Sequence, residues 1–471
     1  KPLYFLQSRE AFVFASEIKA IAASGFARME LDPLSLMRYF RLLVVPQPRT
    51  IFSDIRKLEP GCCLSINTAG KVSSRPYWRF EDYAAGAAEM SEAHARVRLE
   101  ELLSDAIASH MVADVPVGAF LSGGLDSSAV VSLMRCHARD QSINTYSMIF
   151  PGRSDADESV HMQKVARAYA TNHHPHELKS CFVDDLDRIA WHADEPFAIG
   201  AGIALYYLAE AAARKNKVVL TGDGADELFA GYDGFLNASY LCHPEWIGTA
   251  WAHLFNTIRF IGRHTGIDSS VYRRLLMGVG RRAGSEAVRY SEQVSQVKLP
   301  SMAPLLTAEF LDYSLATWSS NTVARFYEAF DGGDKIRQRL YTEFKTRLVD
   351  EMLMKVDRNT MAHSLEARPP LLDHRLVEFA AALPTNLKIG QTGGAQSCAK
   401  YIFKEAMSPH LLPDIINRPK HPFNVPYLDL AQDGWLSHLN AMLKEGFLVR
   451  HSILRQQGID VLLGRLKHTD R

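Results

Sequence analysis

Ser122-Gly123-Gly124-Leu125-Asp126-Ser127-Ser128 stands directly after an apolar run, Val117–Leu121, and directly before a helix-like run, Ser128–Ala138. Glycines at such a junction allow a tight turn whose backbone N–H groups converge on one concavity. The helix N-terminus adds partial positive charge, so an anion is favoured there. Ser122, Ser127 and Ser128 can donate hydroxyl hydrogen bonds to phosphate oxygens. This is not a Walker A loop, because no Gly-Lys-Ser/Thr follows the glycines. Asp126 is the informative residue. A carboxylate inside an anion-binding turn repels phosphate unless a cation bridges the two, which points to Mg²⁺. The bland reading of these residues alone is a glycine-rich turn with an Asp or Ser helix cap.

Working outward, Thr145–Phe150 reads as a strand, Val160–Ala170 as a helix, and Asn172–Glu177 as a short strand. Leu205–Arg214 is helical and Lys217–Thr221 is strand again. Such alternation predicts an α/β fold, a parallel sheet with helices on both faces and the ligand at the carboxyl ends of its strands. Residues 1–80 read instead as short strands, Leu3–Leu6, Phe12–Ala15 and Cys62–Ile66, with a helix over Leu34–Leu43 opened by Asp32-Pro33. The polar stretch 81–91 reads as a linker, and residues 92–471 as one large domain whose first helix runs towards His110. Beyond Phe235 the pattern is almost wholly helical, as in Tyr240–His264 and Ile336–Arg358, a helical C-terminal part that covers and extends the sheet.

Composition narrows the class. Of 471 residues, 47% are hydrophobic and 23% charged, and 53 Lys plus Arg balance 53 Asp plus Glu. A neutral chain has no overall pull towards nucleic acid or anionic lipid, so neither is an expected partner. No uncharged apolar run approaches the roughly 18 residues of a membrane span. Six cysteines, at 62, 63, 136, 181, 242 and 398, show no metal-ligand spacing, so free thiols in a reducing, cytoplasmic setting are expected. The chain opens Lys1-Pro2-Leu3-Tyr4, without initiator Met or signal peptide, and is read as starting inside a domain.

Three further clusters carry chemistry. Thr221-Gly222-Asp223-Gly224-Ala225-Asp226-Glu227 follows an apolar strand; its carboxylates suit magnesium or a general base, and a solvated acidic turn is the alternative. Both glycine-rich loops sit at strand ends, and the fold rule places them on one crevice. Ser364–Asp373, with Glu366, Arg368 and Asp373 between prolines, reads as a structural ion-pair network. Arg418-Pro419-Lys420-His421-Pro422-Phe423 is either a surface loop or the carrier of a lysine that reaches phosphates.

SGGLDSS, then DEPF (Asp194–Phe197), TGDGADELFAGY, SLEARPPLLD and RPKHPF occur in an order that resembles the glutamine-hydrolysing asparagine synthetases. PLYF, FASEIKAI, LEPGCCLSI and the pair Tyr77-Trp78 resemble the end of that family's N-terminal Ntn-type glutaminase domain, so 1–80 is expected to be its β-rich remnant. The resemblance covers nearly the whole chain and is weakest between about 235 and 340. It implies a PP-loop ATP pyrophosphatase fold, like that of adenine nucleotide α-hydrolases. Leu121, Ser122, Gly123, Gly124, Asp126, Ser127, Met148, Thr221, Gly222 and Asp226 would then bind ATP, with Asp126 and Asp157 or Glu158 on Mg²⁺. The side-chain carboxylate of aspartate would become β-aspartyl-AMP, and ammonia, derived from glutamine in the intact protein, would displace AMP. Lys420 would neutralise the intermediate's charge, Asp223 stands where several relatives have Glu as a candidate base for ammonia, and Glu227 completes the catalytic set.

The family's N-terminal Cys nucleophile has no counterpart at Lys1, so this chain is expected to use free ammonia rather than hydrolyse glutamine. Cys62 and Cys63 read as ordinary buried thiols. The C-terminus also looks early for the family. Rival readings keep the adenylation chemistry but change the acceptor, as in sugar-acid amidation, β-lactam closure or peptide cyclisation, or make the chain a silent nucleotide-binding subunit. Other PP-loop ATP pyrophosphatases explain SGGLDSS but not the later motifs. The oligomeric state stays open, with a homodimer among the candidates.

Overall fold

Alternating apolar side chains make Tyr4–Gln7 (β1) and Phe12–Ala15 (β2) an antiparallel pair in the computed structural model, with Ile55–Lys57 (β3) on the other edge of β1. Tyr4 and Leu6 point to one buried side. Cys62–Ile66 (β4) and Val72–Pro76 (β5) form a separate hairpin. Described are residues 1–471 except 85–89, 139–140, 153–156, 179, 237–249, 252, 255–256, 259–284, 318–320, 332, 393–395, 422, 424, 428–434, 445 and 470–471. The expected helix appears as Pro33–Leu42: Asp32 accepts from Leu34 N, proline occupies the first turn, and Leu43 closes it in the left-handed conformation. Its Leu36 and Met37 pack on Leu299, Met302 and Phe310, so the N-terminal segment shares a core with the distant helices. Cys62 and Cys63 are half-buried rather than buried.

The predicted parallel sheet is present. Val117–Phe120 (β6), Asn144–Ile149 (β7), Asn172–Glu177 (β8) and Val218–Leu220 (β9) are joined by Glu366–Arg368 (β10), in the order β10-β9-β6-β7-β8. The chain leaves β6 towards β7 and β8, then returns through Ala201–Ala213 to the other side of β6 as β9. The loops after β6 and β9 therefore face each other at a switch of strand order, where open α/β sheets bind ligands. Helices cover both faces. Leu121 and Leu220 pack with Leu99, Val130 and Met134 on one side, whereas Tyr146, Met148 and Val219 pack with Ala204 and Leu208 on the other.

Three expectations change. The stretch read as a linker begins with a helix, Phe80–Ala84; Phe80 enters the main core and Tyr341 donates to Glu81. The segment read only as an ion-pair cluster supplies β10, although the Arg368–Glu366 pair does form at 2.8 Å. The part beyond Phe235 also holds a hairpin, Ile389–Thr392 with Gln396–Ala399, and the expected helix over Ile336–Arg358 contains a π-helical segment, Leu348–Leu353. Tyr240–His264 lies, but for a few residues, outside the described residues. No helix among the described residues is long and apolar enough to cross a membrane.

The DEPF motif fastens the N-terminal strands to the large domain. The buried Asp194 carboxylate accepts from Ile18 N and from Lys19 N at 3.1 Å, and faces Arg358 at 3.5 Å. Arg358 also donates to Tyr4 Oη and Ser16 O, both at 3.0 Å. Glu195 pairs with Lys57. Breaking one partner of a buried pair costs about 3–5 kcal/mol, because the other charge is stranded. Arg358→Met is expected to lower the thermal midpoint and to raise hydrogen exchange in β1 and Ile18–Ala23. Exchange there unchanged from wild type would contradict this role.

Candidate active site

The first loop is tied to the sheet before it turns. Leu121 N donates to Tyr146 O at 2.9 Å, and Ser147 Oγ donates to Leu121 O. Ser122 N donates to Ser127 Oγ at 3.1 Å, and the two hydroxyls lie 2.9 Å apart. Gly123 needs its glycine, because φ is +74° and a Cβ would meet Met162 N at 2.9 Å. Gly124 caps the helix Leu125–His137 with no side-chain hydrogen bond, which leaves Asp126 and Ser127 in the positive first turn. Ser128 Oγ is buried and has no partner among the described residues. Met148 is buried on β7 behind this loop.

The second loop lies against the first, as the fold rule required. A Cβ on Gly222 would fall 2.9 Å from Ser127 N and 3.2 Å from Asp126 Cβ. Thr221 N is anchored to Arg368 O at 3.0 Å, while Asp223 is half-buried just beyond Gly222. Asp226 and Glu227 stand on the single turn Ala225–Leu228.

One side chain that sequence reasoning missed joins the loops. Lys400 Nζ contacts Asp126 Oδ1 at 2.7 Å and Oδ2 at 2.6 Å, and Asp226 Oδ1 at 2.7 Å. Lys400 adopts the left-handed conformation at the end of the hairpin and is held by its N–H to Phe229 O. Lys420 reaches the same Asp226 oxygen at 2.7 Å from a loop whose Pro419, Lys420 and His421 are exposed. Burial opposes ionisation of Asp226, but the two ammonium groups outweigh it and hold the carboxyl at about 2. Tyr232, quoted in the motif but given no role, donates to Glu227 and lies 4.2 Å from Lys420 Nζ.

Asp157 and Glu158 are engaged elsewhere. Asp157 accepts from Ser159 N and Oγ, at 3.1 and 3.0 Å, at the start of the next helix. Glu158 pairs with Arg418, whose Nη1 also donates to Gly123 O at 3.1 Å. The carboxylate that shares a cation with Asp126 is Asp226. No cluster of three His, Cys, Asp or Glu suited to a metal occurs among the described residues. Asp126 and Asp226, already sharing one cation, are the pair whose charges fit Mg²⁺ bound together with phosphate oxygens.

Burial, reinforced by the charge of Asp226, pushes the Glu227 carboxyl up to about 7 despite the Tyr232 hydrogen bond. Its folded value is therefore above the unfolded one. The folded state holds the extra proton below that value, and this stability is lost as pH rises from about 4.5 through 7. Glu227→Gln, which cannot ionise, is expected to gain a few degrees of thermal midpoint over wild type between pH 5 and 8. A constant difference across that range would contradict the assignment.

A family model described as asparagine synthase matches residues 98–471, and one described as a glutamine amidotransferase domain matches residues 1–78. The chain is 28% identical over 442 residues to asparagine synthetase (glutamine-hydrolyzing) 1 of Bacillus subtilis, covering 93% of this chain and 66% of that protein. It is 30% identical over 433 residues to a putative asparagine synthetase (glutamine-hydrolyzing) of Mycobacterium tuberculosis H37Rv, covering 90% and 63%. It is also 26% identical over 456 residues to amidase chry2 of Gibberella zeae, covering 90% and 66%. The chain thus spans a little under two thirds of the length of these relatives.

Proposed function

The chain belongs to the asparagine synthase family, and on that premise we propose that it is an ATP-dependent ligase that activates a carboxylate as its adenylate and passes it to ammonia. The observation that carries this reading is the convergence of two glycine-rich loops on one pair of carboxylates, Asp126 and Asp226, spanned by Lys400, with Lys420 on Asp226. Such a site suits a polyphosphate better than a sugar or an apolar ligand, because it offers backbone donors, hydroxyls and cations around acidic groups able to share a metal.

In this mechanism Ser122, Ser127 and the N–H groups of the first turn bind and orient the phosphates. Asp126 and Asp226 would hold Mg²⁺, which when bound offsets phosphate charge. An oxygen of the aspartate side-chain carboxylate attacks the α-phosphorus, pyrophosphate leaves, and a mixed anhydride with AMP results. Ammonia then attacks the activated carbonyl, loses a proton, and AMP departs with the anhydride oxygen. Lys420 would stabilise charge on the α-phosphate in both steps, a role supported by its contact with Asp226 between the loops. Asp223 or Glu227 would accept the ammonia proton, a role supported by the raised Glu227 carboxyl. Ammonia comes from solution or from glutamine, for which the match of residues 1–78 is the supporting observation.

The test is pyrophosphate release from Mg·ATP with aspartate and ammonia, with Asp126→Ala alongside. Aspartate-dependent release that the variant abolishes is the expected result. Release as fast in Asp126→Ala as in wild type would remove that residue from the mechanism.

A further inference from the structure

We infer that Tyr232 is a positioning residue for Lys420: its ring seats the ammonium and aims it at the adenylation site. The inference rests on the ligase reading above and deepens it, because that reading gives Tyr232 no part in the reaction.

Lys420 is poorly fixed by its own loop. Arg418 ties the start of the loop to Gly123 O at 3.1 Å, and His421 Nδ1 lies 3.7 Å from Glu158. These ties place the backbone, whereas the ammonium stands at the end of a flexible four-carbon stem. Its carboxylate partner does not settle its position either. Asp226 Oδ1 meets Lys420 and Lys400 at 2.7 Å each, and Lys400 also holds both oxygens of Asp126. Lys400 is buried and its backbone N–H is bonded to Phe229 O, so it is the fixed member of the pair. Two ammonium groups on one oxygen repel each other, and the exposed one gives way. Lys420 has a second contact, the Tyr232 ring, 4.2 Å from Nζ.

That ring is itself clamped. Its hydroxyl donates to Glu227, and Phe235 stacks on it at 6.2 Å with planes 28° apart. The Arg347 guanidinium also lies 4.2 Å from the ring. Arg347 is compensated by Glu351 at 3.5 Å and by the charge of Glu343, so it holds the ring without drawing on Asp226. An aromatic face attracts a cation through its quadrupole, and more strongly where water is partly excluded. A fixed ring beside a long, loosely held lysine therefore sets where the charge stands. The hydrogen bond to Glu227 uses the phenol oxygen, at the ring edge, and substitution separates it from the face.

The experiment replaces Tyr232 by Phe, by difluoro- and trifluorophenylalanine through suppressor-tRNA incorporation, and by Leu. The fluorinated rings keep the shape of Phe while draining negative charge from the face. Pyrophosphate release gives kcat and the KM for ATP. Brief acetylation with acetic anhydride, read by peptide mass spectrometry, gives the reactivity of Lys420, with exposed Lys71 as the internal reference. Tyr232→Phe should retain more turnover than Tyr232→Leu. From Phe, kcat should fall stepwise with fluorination towards a loss of about five- to thirtyfold in Tyr232→Leu, with the KM for ATP unchanged. Acetylation of Lys420 should rise in the same order. Level turnover or level Lys420 reactivity across the ring series would overturn the inference, because a packing role follows shape. Tyr232→Phe as impaired as Tyr232→Leu would also overturn it, because that result assigns the role to the hydroxyl. Graded Lys420 reactivity in a protein that releases no pyrophosphate would uphold the seat and sink the ligase reading instead.

Discussion

Lys400→Met is expected to remove most pyrophosphate release and to cost about 3–5 kcal/mol of stability in denaturant unfolding. The side chain is only 8% exposed, and its ammonium is the shared partner of Asp126 and Asp226. Methionine keeps the packing of the aliphatic stem and deletes the charge. Two part-buried carboxylates are then left facing each other, with Lys420 in direct contact with Asp226 alone. Both loops should loosen, since each is held to the other through this contact. Added Mg²⁺ should recover part of the stability but not the turnover, because a divalent ion can replace the charge without replacing the anchored side chain. Stability and pyrophosphate release both equal to wild type would show that the bridge is dispensable.

The second large effect is expected from a single methyl group. A Cβ on Gly231 would lie 1.9 Å from Asp226 Oδ1 and 2.2 Å from Lys400 Cε. Neither neighbour can retreat, since each is pinned by the ion pair between them. The cost arises from close approach, not from backbone strain, because Gly231 is not among the residues with positive φ. Gly231→Ala should displace the Asp226 carboxylate and lower turnover by roughly 100-fold or more, as misplacement by about 1 Å does in oriented sites. Gly234→Ala is the matched control. Its Cβ would meet nothing nearer than Gln293 Nε2 at 3.6 Å, and activity should stay near wild type. Similar activity in the two variants would contradict the packing argument.

Much of the sheet and both loops were legible because their signals are local. Val117–Leu121 followed by glycines and a helix is read from adjacent residues, and the rule on strand ends brings that loop to Gly222 without knowledge of any contact. Lys400 was not legible. It is one lysine between Ala399 and Tyr401, and its partners lie 274 positions away at Asp126 and on the short turn of Asp226. The partners of Asp157 and Glu158 were not legible either. Asp157 meets Ser159 two residues on, and Glu158 meets Arg418 260 positions away, contacts that charge and sequence position do not reveal. Strand β10 has only three residues, too few for alternation to show, so Glu366 and Arg368 looked like a charge cluster before they looked like sheet. The helical turn at Phe80–Ala84 was hidden by the small and polar residues that follow it.

The central claim is that a carboxylate oxygen attacks the α-phosphorus of ATP. Aspartate labelled with ¹⁸O in its side-chain carboxylate, incubated with Mg·ATP and ammonia, tests it most directly by mass spectrometry of the products. The account predicts one labelled oxygen in AMP for each asparagine formed, with unlabelled pyrophosphate. Label in inorganic phosphate with formation of ADP would place the attack at the γ-phosphorus and contradict the mechanism.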